Sequence, residues 1–250
     1  MTERNTIYSR RDLVRGTGLV AGTALVLGQV AWGEGRERES TAKTELTPME
    51  DLTCQHAVAS RVLMVYEMSA GRTGGVGTSA PPMQAIATAA GMIRSNVEDY
   101  HMKLEEEHLF PLMQKSGKMN DLVSTLREQH AAGRRLTDAI LQATSAGTGA
   151  TAHSEAVSRN VLAYLNMIRA HTAYEESMLY PQIRAVLSDR DYDQLQKTLA
   201  EAGRKKLGPE GINGLLAKVA DLERSVGITS LAQFTPRLGT EPVARENPAR

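Results

Sequence analysis

The chain has 250 residues with 29 basic and 29 acidic side chains, 41% hydrophobic and 4% aromatic content, and one cysteine. A balanced charge without a basic block gives nucleic acid no footing as a partner, and a lone Cys54 excludes an intrachain disulfide and a thiolate metal cluster. Abundant Ala, Leu, Glu, Gln, Arg and Met with few aromatics favours helix over sheet.

In chain order, the first feature is Ser9-Arg10-Arg11-Asp12-Leu13-Val14-Arg15, followed by a mildly apolar, glycine-studded run from Gly16 to Ala31. It resembles a twin-arginine export signal over residues 1–33, with cleavage near 31–33. The resemblance implies delivery to the twin-arginine export machinery and a periplasmic location, or a membrane tether if the segment stays uncleaved. Residues 34–47 are polar and aperiodic and read as a linker. A first helix is predicted from Thr47-Pro48, with Thr47 as cap and Leu52, Ala59, Val62, Leu63 and Tyr66 on its apolar face. Cys54 on this helix reads as a small core residue. A glycine-rich loop, 71–82, leads to predicted helices over 83–115, 119–144 and 152–187, the last two separated by a small-residue loop, 145–151. Pro111 and Pro181 each remove a helix hydrogen bond, so a kink is expected at both. Two more helices, 191–206 and 210–226, flank Gly208-Pro209. Residues 235–250 read as a disordered tail. The class is all-α: an up-down-up-down four-helix bundle over 48–187 with a C-terminal helical extension over 188–234.

Two of these helices carry the same string. His101-Met102-Lys103-Leu104-Glu105-Glu106-Glu107-His108-Leu109-Phe110-Pro111 and His171-Thr172-Ala173-Tyr174-Glu175-Glu176-Ser177-Met178-Leu179-Tyr180-Pro181 both read His-x3-Glu-Glu-x2-Leu-aromatic-Pro. The other two share Gln-His-Ala with an arginine five after the histidine: Gln55-His56-Ala57 with Arg61, and Gln129-His130-Ala131 with Arg135. The chain is a duplicated helix pair. Positions i and i+4 lie ~40° apart on one helix face, so His101 with Glu105, and His171 with Glu175, point together into the bundle. Two carboxylates so placed can bridge two metals and four imidazoles can terminate them, a nitrogen/oxygen set that suits iron or manganese better than structural zinc. Glu106 and Glu176, ~140° from their histidines, are expected on solvated faces or against a neighbouring helix. Glu107 is read as solvated too. His153 reads as an ordinary core histidine, Tyr66, Tyr174, Tyr180 and Phe110 as core, and Arg61 and Arg135 as residues at the surface or just behind the site that pair with carboxylates.

The order His, His-x3-Glu, His, His-x3-Glu resembles the hemerythrin/HHE cation-binding family, over about Met49 to Leu187. The resemblance implies His56, His101, Glu105, His130, His171 and Glu175 as ligands of two non-haem iron ions, oxo- or hydroxo-bridged, with manganese as the other candidate. The oxygen-carrying members have a second histidine on the third helix, four after the first; here Arg134 stands there. The missing ligand is absent or comes from His108, ~20° off the direction of His101, or from Glu98. The function so implied is binding of, or reaction with, dioxygen, peroxide or nitric oxide, with peroxidase- or catalase-like activity as one form. The alternative is an iron-binding, storage or donor protein without catalysis.

Overall fold

Helix α1, Pro48–Ser69, begins where Thr47 and Glu50 cap each other: the Glu50 amide donates to Thr47 Oγ1 (3.3 Å) and the Thr47 amide to Glu50 Oε2 (2.8 Å). The computed structural model describes residues 46–69, 82–145 and 151–236, with side chains at 151–153 left out. The arginine-pair motif and its apolar run, most of the linker, most of the glycine-rich loop, the His153 side chain and most of the tail therefore lie outside the described residues. Those that are described form an all-helical bundle with no strand among them, and none of their helices is long and apolar enough to cross a membrane.

Helix α2 runs over residues 83–116, α3 over Asn120–Ser145 and α4 over residues 151–186. Three residues join α2 to α3, with Gly117 and Met119 at positive φ. The disturbance expected at the prolines takes a defined form. A π-helical turn, Glu105–Leu109 in α2 and Glu175–Leu179 in α4, sits just before Pro111 and Pro181. Phe110 and Tyr180 donate their amides five residues back, to Glu105 and Glu175. A proline ring clashes with the carbonyl four residues earlier, and the wider turn draws that carbonyl away. A longer π segment, Ile93–His101, occurs in α2 alone among the two.

Two apolar clusters fill the interior. Val62, Tyr66, Ile93, Ile140, Leu165 and Ile168 belong to one, and Leu52, Leu109, Phe110, Leu126, Leu179 and Ile183 to the other. On all four helices the six candidate ligands lie in sequence between members of these clusters. A polar layer is thus walled by hydrocarbon on both sides, which strengthens every electrostatic interaction inside it.

Helix α5, Asp189–Leu207, is capped by Ser188, whose Oγ accepts the Asp191 amide (3.2 Å), and α6 spans Gly211–Ser225. Leu195 and Leu199 of α5 and Val219 and Leu222 of α6 turn inward. Arg61 clasps the nearly buried Glu223 of α6, donating from Nε (2.9 Å) and Nη2 (2.5 Å). The partnership expected of Arg61 thus fastens the extension to α1, whereas Arg135 is exposed.

Cys54 corrects its sequence reading: it is exposed. It lies two residues, about 200°, from both Leu52 and His56, on the opposite face of α1. One thiol equivalent is therefore expected to react with a chromogenic disulfide in the native protein, without denaturant. The rate should climb steeply with pH, because partial burial and then Asp51 and Glu50 push the thiol pKa up. A thiol reacting only after unfolding would contradict the placement.

Candidate metal centre

α1 supplies His56, α2 His101 and Glu105, α3 His130, and α4 His171 and Glu175; none is more than 5% exposed. They form two groups that share both carboxylates: His56, His101, Glu105 and Glu175, and Glu105, His130, His171 and Glu175. In each group one donor atom per residue lies within 4.8 Å of the others. Glu175 faces both ways, with Oε2 3.4 Å from His56 Nε2 and Oε1 3.0 Å from His171 Nε2. Glu105 Oε2 is 3.6 Å from His101 Nε2 and 3.5 Å from His130 Nε2.

Every imidazole is held from outside through Nδ1. His101 meets Gln55 Oε1 (3.1 Å) and His171 meets Gln129 Oε1 (2.9 Å). His56 meets Glu176 Oε1 (2.9 Å) and His130 meets Glu106 Oε1 (2.8 Å). An amide or carboxylate oxygen only accepts, so each ring donates from Nδ1 and turns the Nε2 lone pair inward. The arrangement repeats in both halves: the glutamine before one histidine holds the next helix's histidine, and the glutamate after each shared carboxylate holds the histidine of α1 or α3. Glu106 and Glu176, expected on solvated faces or against a neighbouring helix, are the outer partners of two rings. The Glu-Glu and Gln-His doublets, present in both repeats, were the signal for them.

Arg134 occupies the position where the oxygen carriers have histidine. Its Nη1 donates to Glu106 Oε1 (2.8 Å) and its Nη2 to the Glu98 carbonyl (3.2 Å). Partial burial pushes the Glu106 carboxyl up; Arg134 and His130 outweigh this and hold it below the ordinary range. The arginine thus steadies the group that steadies His130.

Neither proposed supplement joins the donor groups. His108 is half-buried and lines a surface cleft with Glu107 and Asp191, because the π turn at 105–109 carries it off the direction of His101. Glu98 is fully buried but accepts from Thr137 Oγ1 (2.6 Å) and faces Arg94 Nη1 (2.9 Å). Among the aromatics, Tyr66 is core, whereas Tyr174 is exposed. The repeat partners Phe110 and Tyr180 cover imidazoles: Phe110 stacks on His130 (centroids 5.3 Å) and Tyr180 on His56 (5.8 Å). Only Tyr180 carries a hydroxyl, which donates to Glu105 Oε1 (2.9 Å).

The cluster fits a cation. His101 Nε2, Glu105 Oε2 and both oxygens of Glu175 are buried without a hydrogen-bond partner, and the Nε2 atoms of His130 and His171 stand 3.1 Å apart. Lone pairs so placed repel one another unless a positive charge lies between them. Burial, followed by the opposing pull of Glu105 and then the other three histidines, leaves the His101 pKa at about 3, so this ring is neutral, as a metal ligand must be. Burial also opposes protons on His56 and His130, but the neighbouring carboxylates lift both above the usual imidazole range.

A helical bundle with paired, buried His/Glu groups of this kind defines a class of metal-binding protein. Residues 47–183 match the hemerythrin HHE cation binding domain, and the chain belongs to that family. It is 35% identical over 207 residues to an uncharacterized protein of Mycobacterium tuberculosis and equally to one of Mycobacterium bovis, covering 82% of this chain and 80% of each relative. No solved structure matches it.

Proposed function

We propose that this is a non-haem di-iron protein that binds or reacts with dioxygen, peroxide or nitric oxide, its two irons oxo- or hydroxo-bridged and held by His56, His101, Glu105, His130, His171 and Glu175. The observation that carries this reading is the set of four imidazoles, each held at Nδ1 by an outer partner with Nε2 turned toward two shared carboxylates. Manganese would satisfy the same donors. The reading includes an up-down-up-down arrangement of α1 to α4 and export through the twin-arginine route to the periplasm, the route being chosen on the Arg10-Arg11 motif.

Iron bound here would supply Lewis acidity and one-electron exchange. The chain supplies the rest. The two apolar clusters wall the site on two sides, and the outer Gln and Glu partners fix the rings. Tyr180 holds a proton at Glu105 Oε1; burial raises its pKa well above the phenol range, so the hydroxyl remains a donor. An iron donor or store needs ligands that release readily, and four locked rings favour retention instead.

Protein expressed with ample iron is expected to carry about two irons per chain, with near-ultraviolet charge-transfer absorption that changes on adding peroxide or nitric oxide. Metal-free protein under those conditions would sink both the redox and the storage readings. Iron without peroxide decay or gas binding would favour storage, with Glu105→Ala as the control lacking a shared carboxylate.

A further inference from the structure

The internal duplication allows each side of the centre to be compared with its twin, and the two sides differ. On the side of α1 and α4, a cavity of about 80 Å³ reaches His56, His101 and His171. Leu63, Val97 and Ile168 form its apolar walls, and Ser60 and Thr172 its rim. Glu67 of α1 and Arg169 of α4 form an ion pair that also lines it. On the side of α3, the position matching Ser60, four after the histidine, is Arg134. Its guanidinium spans from Glu106 to the backbone of Glu98. Where the twin has a long, doubly anchored side chain, the α1 side has a serine folded back on the His56 carbonyl (2.9 Å). The outer carboxylates differ accordingly: Glu176 is 42% exposed and Glu106 24%.

We propose that small ligands reach the centre from one side only, through the cleft between α1 and α4, with the Glu67–Arg169 pair as its gate and Arg134 as the plug of the twin cleft. This deepens, and rests on, the di-iron reading above. One buried water needs roughly 10–15 Å³ of such volume, so the cavity admits a few waters, a diatomic gas or peroxide and excludes larger organic substrates. Its apolar walls favour neutral or singly charged small species over hydrated ions. A smaller cavity of about 40 Å³ touches His56 and His101 from beneath the C-terminal extension, roofed by Leu207, Ile212 and Leu215, and is the competing route.

The test is stopped-flow binding of azide to the ferric protein, with xenon-pressurised crystals of metal-free protein as a readout independent of the metal. Ser60→Arg, on an exposed helical position that tolerates arginine, should slow azide association by at least about tenfold at unchanged iron content. Arg169→Ala should speed it severalfold. Xenon should sit between Leu63 and Ile168 in the unmodified protein and be displaced in Ser60→Arg. An unchanged rate in Ser60→Arg, or slowing instead in Leu215→Trp, overturns the cleft while leaving the di-iron reading intact. If iron does not bind, that reading fails, and the xenon site alone decides: present and displaced by Ser60→Arg, the cleft stands; absent, it falls.

Discussion

Replacing Glu175 by alanine is expected to abolish the two-metal content proposed above, taking it from about two per chain to near zero, because ligand loss in a shared position is felt by both ions. Glu175 belongs to both donor groups and neither of its oxygens has a hydrogen-bond partner, so both are available, one toward His56 and one toward His171. Glu105→Ala should act in the same direction, and it also leaves the buried Tyr180 hydroxyl without its acceptor. Glu106→Gln is the informative contrast. It removes the charge that holds His130 and pairs with Arg134 but no ligand atom, so a loss of about 10–100-fold in metal affinity is expected. Metal analysis with chelator competition separates these outcomes. Retention of two metals in Glu175→Ala would refute the shared-carboxylate geometry.

The second large effect is on stability. In the metal-free protein, the neighbouring carboxylates hold the His56 and His130 pKa values above the ordinary 6.5. A raised folded-state pKa contributes stability that is complete below the unfolded value and is lost as pH rises through the folded value. From about pH 6.5 upward the metal-free protein should therefore weaken. His101, with a pKa near 3, and Glu175, near 2, change protonation on folding mainly below about pH 6.5. In the metal-loaded protein the same imidazoles are already deprotonated, and metal affinity rises as competing protons leave. The gap in melting temperature between loaded and chelator-treated protein should widen from about pH 6.5 to about pH 8.5, by roughly 2–4 °C for each kcal/mol gained. A gap that narrows with pH would show that His56 and His130 are not held by carboxylates.

How far the site could be read from the sequence depended on distance along the chain. His101 with Glu105, and His171 with Glu175, were legible because i and i+4 share a helix face whatever surrounds them. The duplicated strings then paired the halves. The limits at Thr47-Pro48 and Gly208 were equally local, whereas α5 begins at Asp189, two residues before the expected start, on a Ser188 cap. Two expectations fail inside single helices. Cys54 passed for core on composition although its own helix turned it outward. His108 passed as a seven-residue neighbour of His101 until the π turn before Pro111 shifted it.

By itself, then, the amino-acid order determined the helices, the duplication and the six candidate ligands, because each rests on spacings that a helix converts directly into directions. Only the tertiary structure decided what lies across the gaps between helices. It made Glu106 and Glu176 the holders of His130 and His56, placed Gln55 and Gln129 behind the other two rings, and made Arg134 a clamp on Glu106. Those contacts depend on which helix is the neighbour and at what height it packs, and no spacing within one helix encodes either.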